Sequence, residues 1–393
     1  MPLSGQGERH PRGLARPGVQ ALRASLIREV ANAGAGRADV IPLWFGEPDQ
    51  PTPDFITNAA AAALAEGRTF YAPNLGIPEL REALAGYLTR LHRPVAAERI
   101  CVTASGMNAL MLVMECLIDP GDRVVAATPT WPNCLEVVHV MGGRTDTLAL
   151  ELAGTEWRID LDRFLGMIDA DTRAVLVNSP NNPTGFTMTR EAQAALLARC
   201  RRLGVWLVAD EVYDRIYYDG TSAPSFLDIA EPDDRVIVVN SFSKTWAMTG
   251  WRLGWITAPA PLMDDLAKLN EFNVSSAATF AQHAGVVAVR EGEPFVAATL
   301  ERYRRARDLV YERLGAFARV QATRPAGAFY AFFRVDGVTD SLAFAKRLLA
   351  ETGVGLAPGV AFGPTGEGHL RLCFASSLER LEAALDRAAP ALR

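Results

Sequence analysis

Cysteine is scarce in this 393-residue chain, and its copies at 101, 116, 134, 200 and 373 are odd in number and scattered, with no CxxC spacing. A disulfide framework or a thiolate metal site is therefore not expected, and a reducing cytoplasm fits. Long apolar runs are missing as well: none approaches the 18 residues that suggest a bilayer crossing. The opening MPLSGQGERHPRGLARPG carries proline, glycine and charge where a signal peptide would carry an apolar core. Nor is there a basic excess. A net charge of −5 argues against a nucleic-acid partner, which usually needs a basic face. Local basic runs exist, such as RYRRARD at 302–308, but they interleave with apolar positions and read as the solvated face of a helix.

What is present is ordinary globular material, 49% apolar and 22% charged, at a length that favours two domains. Short β-branched runs recur: RICVTAS at 99–105, DRVVAATP at 122–129, RAVLVNSP at 173–180, GVWLVADE at 204–211, RVIVVNSF at 235–242 and RLGWITAP at 252–259. Each is apolar at consecutive positions, the pattern of strands covered on both faces. Helical periods at 107–118 and 190–204 fall between them. The expectation is an α/β fold: a three-layer, mainly parallel (mixed) sheet. After about residue 290 the texture becomes α+β. A charged helix pattern leads to GAFYAFFRV, an alternating strand, then another helix, GHLRLCFA as a last strand, and a terminal helix at 377–389. The domains expected are an N-terminal arm and segment at 1–50 packing on the small domain, a large ligand-binding domain at 51–290, and a small C-terminal α+β domain at 291–393.

In a parallel sheet the ligand crevice lies outside the carboxyl ends of the strands, and several of these runs stop on chemistry. The first ends Ser105-Gly106-Met107 and feeds a helix, so it is either a plain N-cap or a nest of N–H groups for an anion. NSPNNPTG is turn chemistry, or it offers the Asn182 amide to a ligand. Asp210 closes a stretch as apolar as VWLVA and needs either a salt bridge or a cationic ligand. Lys244 follows VIVVNSFS, where an apolar setting lowers an amine's pKa and readies it to form a Schiff base. Ser241 and Ser243 add hydroxyls, and Arg252 adds a fork for phosphate oxygens. Taken together, a phosphate nest, a ring-facing carboxylate, an amine and an arginine are the fittings of pyridoxal 5′-phosphate.

The chain at this point resembles the fold-type I pyridoxal-phosphate enzymes, and specifically the class I/II aminotransferases, from about Leu43 to the C-terminus. The motifs that carry the resemblance are GEPD at 46–49, YAPNLGIPELREALAGY at 71–87, NSPNNPTG at 178–185, ADEVY at 209–213, SFSKTWAMTGWRLGW at 241–255 and PGVAFGPTGEGHLRLCFA at 358–375. The resemblance implies that Lys244 holds the cofactor as a Schiff base and shuttles the proton. It implies that Asp210 pairs with the pyridine nitrogen and that Tyr213 and Asn182 bond the ring's phenolic oxygen. Ser105, Gly106, Met107, Ser241, Ser243 and Arg252 match the phosphate site, and Trp131 matches an aromatic that stacks on the ring. Arg371 matches the arginine that grips the substrate α-carboxylate, with Gly46 and Asn182 beside the substrate. Tyr71 matches a residue that reaches the phosphate of a neighbouring subunit, which implies a homodimer with shared sites. No metal is implied.

The reaction expected is exchange of an amino group between an L-amino acid and a 2-oxo acid, in amino-acid metabolism. Some aspartate-specific relatives carry lysine at the position of Met107, or a second arginine. No second cationic anchor is legible here, so an apolar or aromatic side chain is expected in preference to a strictly dicarboxylic one. Phe45, Trp246, Phe280 and Phe329 are candidates to line its pocket, each also readable as core. Gln50, after GEPD, departs from the family pattern beside the substrate path. A C–S β-lyase would share every cofactor residue. An effector-binding protein of the same fold is a third reading, weakened by the short stretch of sequence before GEPD.

Overall fold

The computed structural model describes residues 15–393 except Thr155, so the first fourteen residues of the expected arm lie outside the described residues. The six apolar runs become six strands of one seven-stranded sheet, and Arg144–Ala149 supplies the other. In chain order these are β1 (Ile100–Thr103), β2 (Arg123–Thr128), β3 (Arg144–Ala149), β4 (Thr172–Asn178), β5 (Trp206–Asp210), β6 (Val236–Ser241) and β7 (Gly254–Thr257). They lie side by side as β1-β7-β6-β5-β4-β2-β3. Neighbours run parallel except β7, which is antiparallel to both β1 and β6.

The consecutive apolar residues have the expected cause. Along β6, Val236 and Val238 enter one hydrophobic cluster while Ile237 and Val239 enter another on the opposite face, as a period of two requires. Helices Gly106–Leu117, Pro132–Met141 and Met263–Asn273 cover the second of these faces. Helices Asp54–Ala65, Pro78–Leu91, Arg190–Leu203 and Thr279–Glu291 cover the first. The result is three layers.

A second, antiparallel sheet orders Val320–Ala322, Tyr330–Val335, His369–Cys373 and Ala357–Pro358. Its cluster also takes Ile27, Val30, Leu43 and Trp44 from the N-terminal segment, whose residues Ile41–Pro42 pair with Val354–Gly355. Two expectations need correction. Tyr330–Val335 does not alternate in burial: only Arg334 is exposed. Its second face meets protein, with Tyr213 bonded to Tyr330 and the rings of Trp157 and Phe362 each 5.9 Å from that of Phe332. The RYRRARD run is not simply solvated either. Arg302 pairs with Asp49, Arg304 donates to the Tyr218 carbonyl, and Arg307 is buried 4.2 Å over the Tyr218 ring, because a guanidinium is weakly hydrated and stacks on aromatic faces. Among the described residues no helix is long and apolar enough to cross a membrane.

Candidate active site

The polar residues at the strand ends converge on one cleft of about 350 Å³. Antiparallel β7 begins at the edge where β1 and β6 end, so Arg252 arrives beside Ser241 and Lys244. Gly46, Gly106, Met107, Trp131, Asn182, Asp210, Tyr213, Ser243 and Arg371 line the same cleft.

Each group is held by local chemistry. Ser105 caps helix Gly106–Leu117, its hydroxyl accepting from Asn108 N at 3.0 Å, so the plain capping reading of that serine holds. Its φ of 135° and ψ of 164° nevertheless fall in a region kept almost exclusively for glycine, the kind of strain that collects at functional sites. Gly106 sits where a Cβ would stand 3.1 Å from the Ser241 Cβ. No acidic side chain occupies the first turn of that helix, which leaves the positive end of its dipole to a ligand. Ser241 and Ser243 bond each other at 2.9 Å. Arg252, at a left-handed φ of 52°, donates to the Thr249 carbonyl at 2.7 Å and has no carboxylate partner among the described residues.

Asp210 is 1% exposed and also lacks a salt bridge among the described residues. Its carboxylate accepts from Val212 N at 3.3 Å and from the Cys134 thiol at 3.5 Å, and burial still pushes its pKa up to about 6. Glu211, one position on, turns to the other side; it accepts from the Ser225 hydroxyl at 2.6 Å and Phe226 N at 3.0 Å and is structural. The Lys244 ammonium donates to the Gly46 carbonyl at 2.5 Å. Burial pulls its pKa down to about 8, and the charges of Arg371 and Arg252 act in the same direction. Gly46 has no room for a side chain, since a Cβ would meet the Tyr330 hydroxyl at 1.8 Å. That hydroxyl bonds the Tyr213 hydroxyl at 2.6 Å.

Arg371 is 2% exposed and has no carboxylate partner among the described residues. It donates to Asn182 Oδ1 at 2.9 Å and to the Trp44 carbonyl, lies 4.4 Å over the Tyr330 ring, and leaves its Nε without a partner. A buried cation so arranged calls for an anion.

Not every expected residue comes in. Tyr71 is 91% exposed, away from the cleft of its own chain. Phe45 lines the cleft, but Trp246 packs on Phe242, and Phe280 is partly buried against the core under the sheet. Phe329 is core as well, although its ring lies 5.9 Å from the Lys244 Nζ. Gln50 is exposed and outside the cleft. Conversely, Tyr330, Cys134, Asn178, Asn133 and the Ser25–Arg28 turn were missed. Only Tyr330, a lone hydroxyl within an aromatic strand, carried any signal.

A mixed α/β sheet whose strand ends surround a buried lysine and two arginines with no acidic partner among the described residues suits carbonyl–amine chemistry. Residues 38–387 match the family of class I and II aminotransferases. The chain is 34% identical over 378 residues to an aspartate aminotransferase of Pyrococcus horikoshii, covering 95% of this chain and 96% of that one. It is 32% identical over 375 residues to the aromatic-amino-acid aminotransferase 2 of Thermococcus litoralis, 94% and 96% of the two chains. A solved aspartate aminotransferase mutant of Thermus thermophilus superposes with a TM-score of 0.90 at 37% identity, covering 97% of this chain and all of that one. The chain belongs to the class I and II aminotransferases and is an enzyme that transfers amino groups.

Proposed function

We propose that the cleft binds pyridoxal 5′-phosphate and exchanges an amino group between an L-amino acid, apolar or aromatic in preference to strictly dicarboxylic, and a 2-oxo acid. The observation that carries this reading is a single cleft in which Asp210, Arg252 and Arg371 each lack a counter-ion among the described residues, with the amine of Lys244 among them. The fit to that cofactor is group by group. The strained Ser105 cap, Gly106, Met107, Ser241, Ser243 and Arg252 would hold its phosphate, Asp210 its ring nitrogen, Tyr213 and Asn182 its phenolic oxygen, and Trp131 one ring face.

When bound, the cofactor supplies an aldehyde for amines to condense with and an electron sink for the Cα carbanion. The chain's residues do the rest. The Lys244 Nζ, neutral above about pH 8, is the base that takes and returns the Cα proton. Asp210, a carboxylate above about pH 6, keeps the ring nitrogen protonated. Arg371 orients the α-carboxylate through its guanidinium, which Asn182 fixes from behind. Gly46, with no side chain, lets the N-terminal segment lie against Tyr330 and close one wall.

We further read the chain as a large unit at 51–290 and a small one at 291–393 on which the arm and segment 1–50 pack, consistent with the third cluster uniting Ile27, Leu43 and Trp44 with residues beyond 300. A cytoplasmic homodimer completes the proposal, and the exposed Phe70, Tyr71 and Phe272 support it. The test is to give the cofactor-loaded protein single amino acids without an oxo acid. One equivalent of 2-oxo acid per site, with the amino group retained on the protein, is expected. Continuous release of pyruvate and sulfide from cysteine conjugates would instead make the enzyme a C–S lyase.

A further inference from the structure

The proposed function gives chemical parts to Tyr213, Asn182 and Arg371 but none to Tyr330, which lines the same cleft. Tyr330 and Tyr213 are both buried, and their hydroxyls bond each other at 2.6 Å. Neither hydroxyl has a second hydrogen-bond partner among the described residues. Two phenols bring two protons and the bond between them uses one, so the pair faces the cleft with a proton to spare. A buried donor left without an acceptor is costly. In the proposed function that acceptor is the phenolic oxygen of the cofactor.

The surroundings decide which hydroxyl donates within the pair. The Gly46 backbone closes on the Tyr330 hydroxyl, where a Cβ would stand 1.8 Å from the oxygen. The Arg371 guanidinium covers the Tyr330 ring at 4.4 Å, and the rings of Tyr213 and Phe329 meet it edge-on at 5.7 and 4.9 Å. Held on these sides, the Tyr330 proton has the Tyr213 oxygen as its one acceptor among the described residues. Burial raises the Tyr330 pKa and keeps the hydroxyl protonated, while the charge of Arg371 works against that rise and strengthens the hydroxyl as a donor. We propose that Tyr330 is a positioning residue that donates to the Tyr213 oxygen and so turns the Tyr213 proton toward the phenolic oxygen of the bound cofactor.

This relay rests on the cofactor reading of the cleft. Hydrogen bonds in series polarise one another, so the Tyr213 proton is donated more strongly when Tyr330 donates behind it. Donation to the phenolic oxygen competes with the proton on the neighbouring Schiff-base nitrogen. The relay therefore lowers the pH at which that nitrogen loses its proton. The other charged and titratable groups facing the pair are Asp210, Lys244, Glu47, Tyr303, Arg371 and Cys373. Among the described residues none of them bonds either hydroxyl, and all remain when a single hydroxyl is deleted.

The test titrates the visible spectrum of the cofactor-loaded protein with pH in wild type, Tyr330→Phe, Tyr213→Phe and the double variant. Phenylalanine keeps the ring under Arg371, and denaturant unfolding checks that each variant is folded. In Tyr330→Phe the spectral midpoint is expected to rise by about half a unit to one unit, the worth of one hydrogen bond. In the Tyr213→Phe background the same change should move the midpoint by less than about 0.2 unit, because the group it acts through is gone. Shifts that add in the double variant would overturn the relay while leaving the aminotransferase intact. So would a Tyr330→Phe midpoint that falls, or that stays within about 0.2 unit of wild type. A wild type that gains no visible band when given the cofactor would remove the proposed function, and this inference with it.

Discussion

At the scale of the residue, Lys244 differs from a surface lysine by the company its Nζ keeps. Arg371 and Arg252 repel its proton, burial withholds the water that would stabilise it, and among the described residues only the Gly46 carbonyl accepts its hydrogen bond. The cationic form is therefore the one penalised in the fold. In the cofactor-free protein the rate of reductive methylation at Lys244 should rise with pH through a midpoint of about 8. The chain's other lysines, Lys268 and Lys346, make ion pairs with Asp265 and Glu29 and serve as references in the same peptide map. A midpoint near the ordinary lysine value of about 10.4 would show that the amine is not primed by the site. The residues that were legible in the sequence are those whose charge is anomalous where it stands. Asp210 closes an apolar strand, and Lys244 and Arg252 bracket a Trp- and Gly-rich turn. Arg371, inside HLRLC, was marked by the family resemblance alone. Arg28 and Cys134 were not legible, because an arginine in an amphipathic helix and a cysteine in another look like surface and core. Only the tertiary approach of Phe45 and Asp210 sets them apart.

At the scale of the element, the cradle is made by three backbones that touch. Helix Gly106–Leu117 starts against the end of β6, and antiparallel β7 begins beside both. Gly254, the first residue of β7, marks the closest approach: a Cβ there would stand 2.6 Å from Gly106 N, 2.7 Å from the Ser105 carbonyl carbon and 2.9 Å from the Asn240 carbonyl. All three are backbone atoms that cannot rotate away. Gly254→Ala should therefore push the helix start off the sheet, lowering stability by ~1–3 kcal/mol as overpacking does and weakening cofactor binding. Gly250→Ala in the same turn, where a Cβ meets nothing within 4 Å, is the control. Denaturant unfolding and a cofactor titration read both, and equal behaviour of the two variants would refute the crowding. The six apolar strands were legible because burial on two faces writes a continuous apolar run. Strand β3, RTDTLA, was not: it sits at the edge of the sheet with mostly part-exposed side chains, so nothing obliges it to be apolar. The direction of β7 was not legible either, since an antiparallel strand covered on both faces carries the same pattern as a parallel one.

At the scale of the whole molecule, Tyr71 is the residue whose position one chain does not explain. It belongs to a motif shared with the family, yet it stands 91% exposed beside Phe70, itself 82% exposed. The Phe70 carbonyl accepts from Thr279, which fixes the loop. Phe272, 89% exposed, ends the helix whose Asn273 bonds Asn108 in the first turn of helix Gly106–Leu117. Large exposed aromatics held in place, and not merely free, are what a subunit contact leaves on an isolated chain. In a two-fold dimer any residue offered across the interface is offered in both directions, so each site would combine Lys244 of one chain with Tyr71 of the other. Mixing two defective proteins, Lys244→Ala and Tyr71→Ala, then gives an outcome that depends on that geometry. A mixed dimer carries one site with both lesions and one with neither, so co-refolded mixtures should regain sites of wild-type cofactor affinity and activity that neither parent shows. If Tyr71 serves its own chain, every site keeps one lesion and no mixture recovers. Sedimentation at the assay concentration establishes the dimer on which the comparison depends.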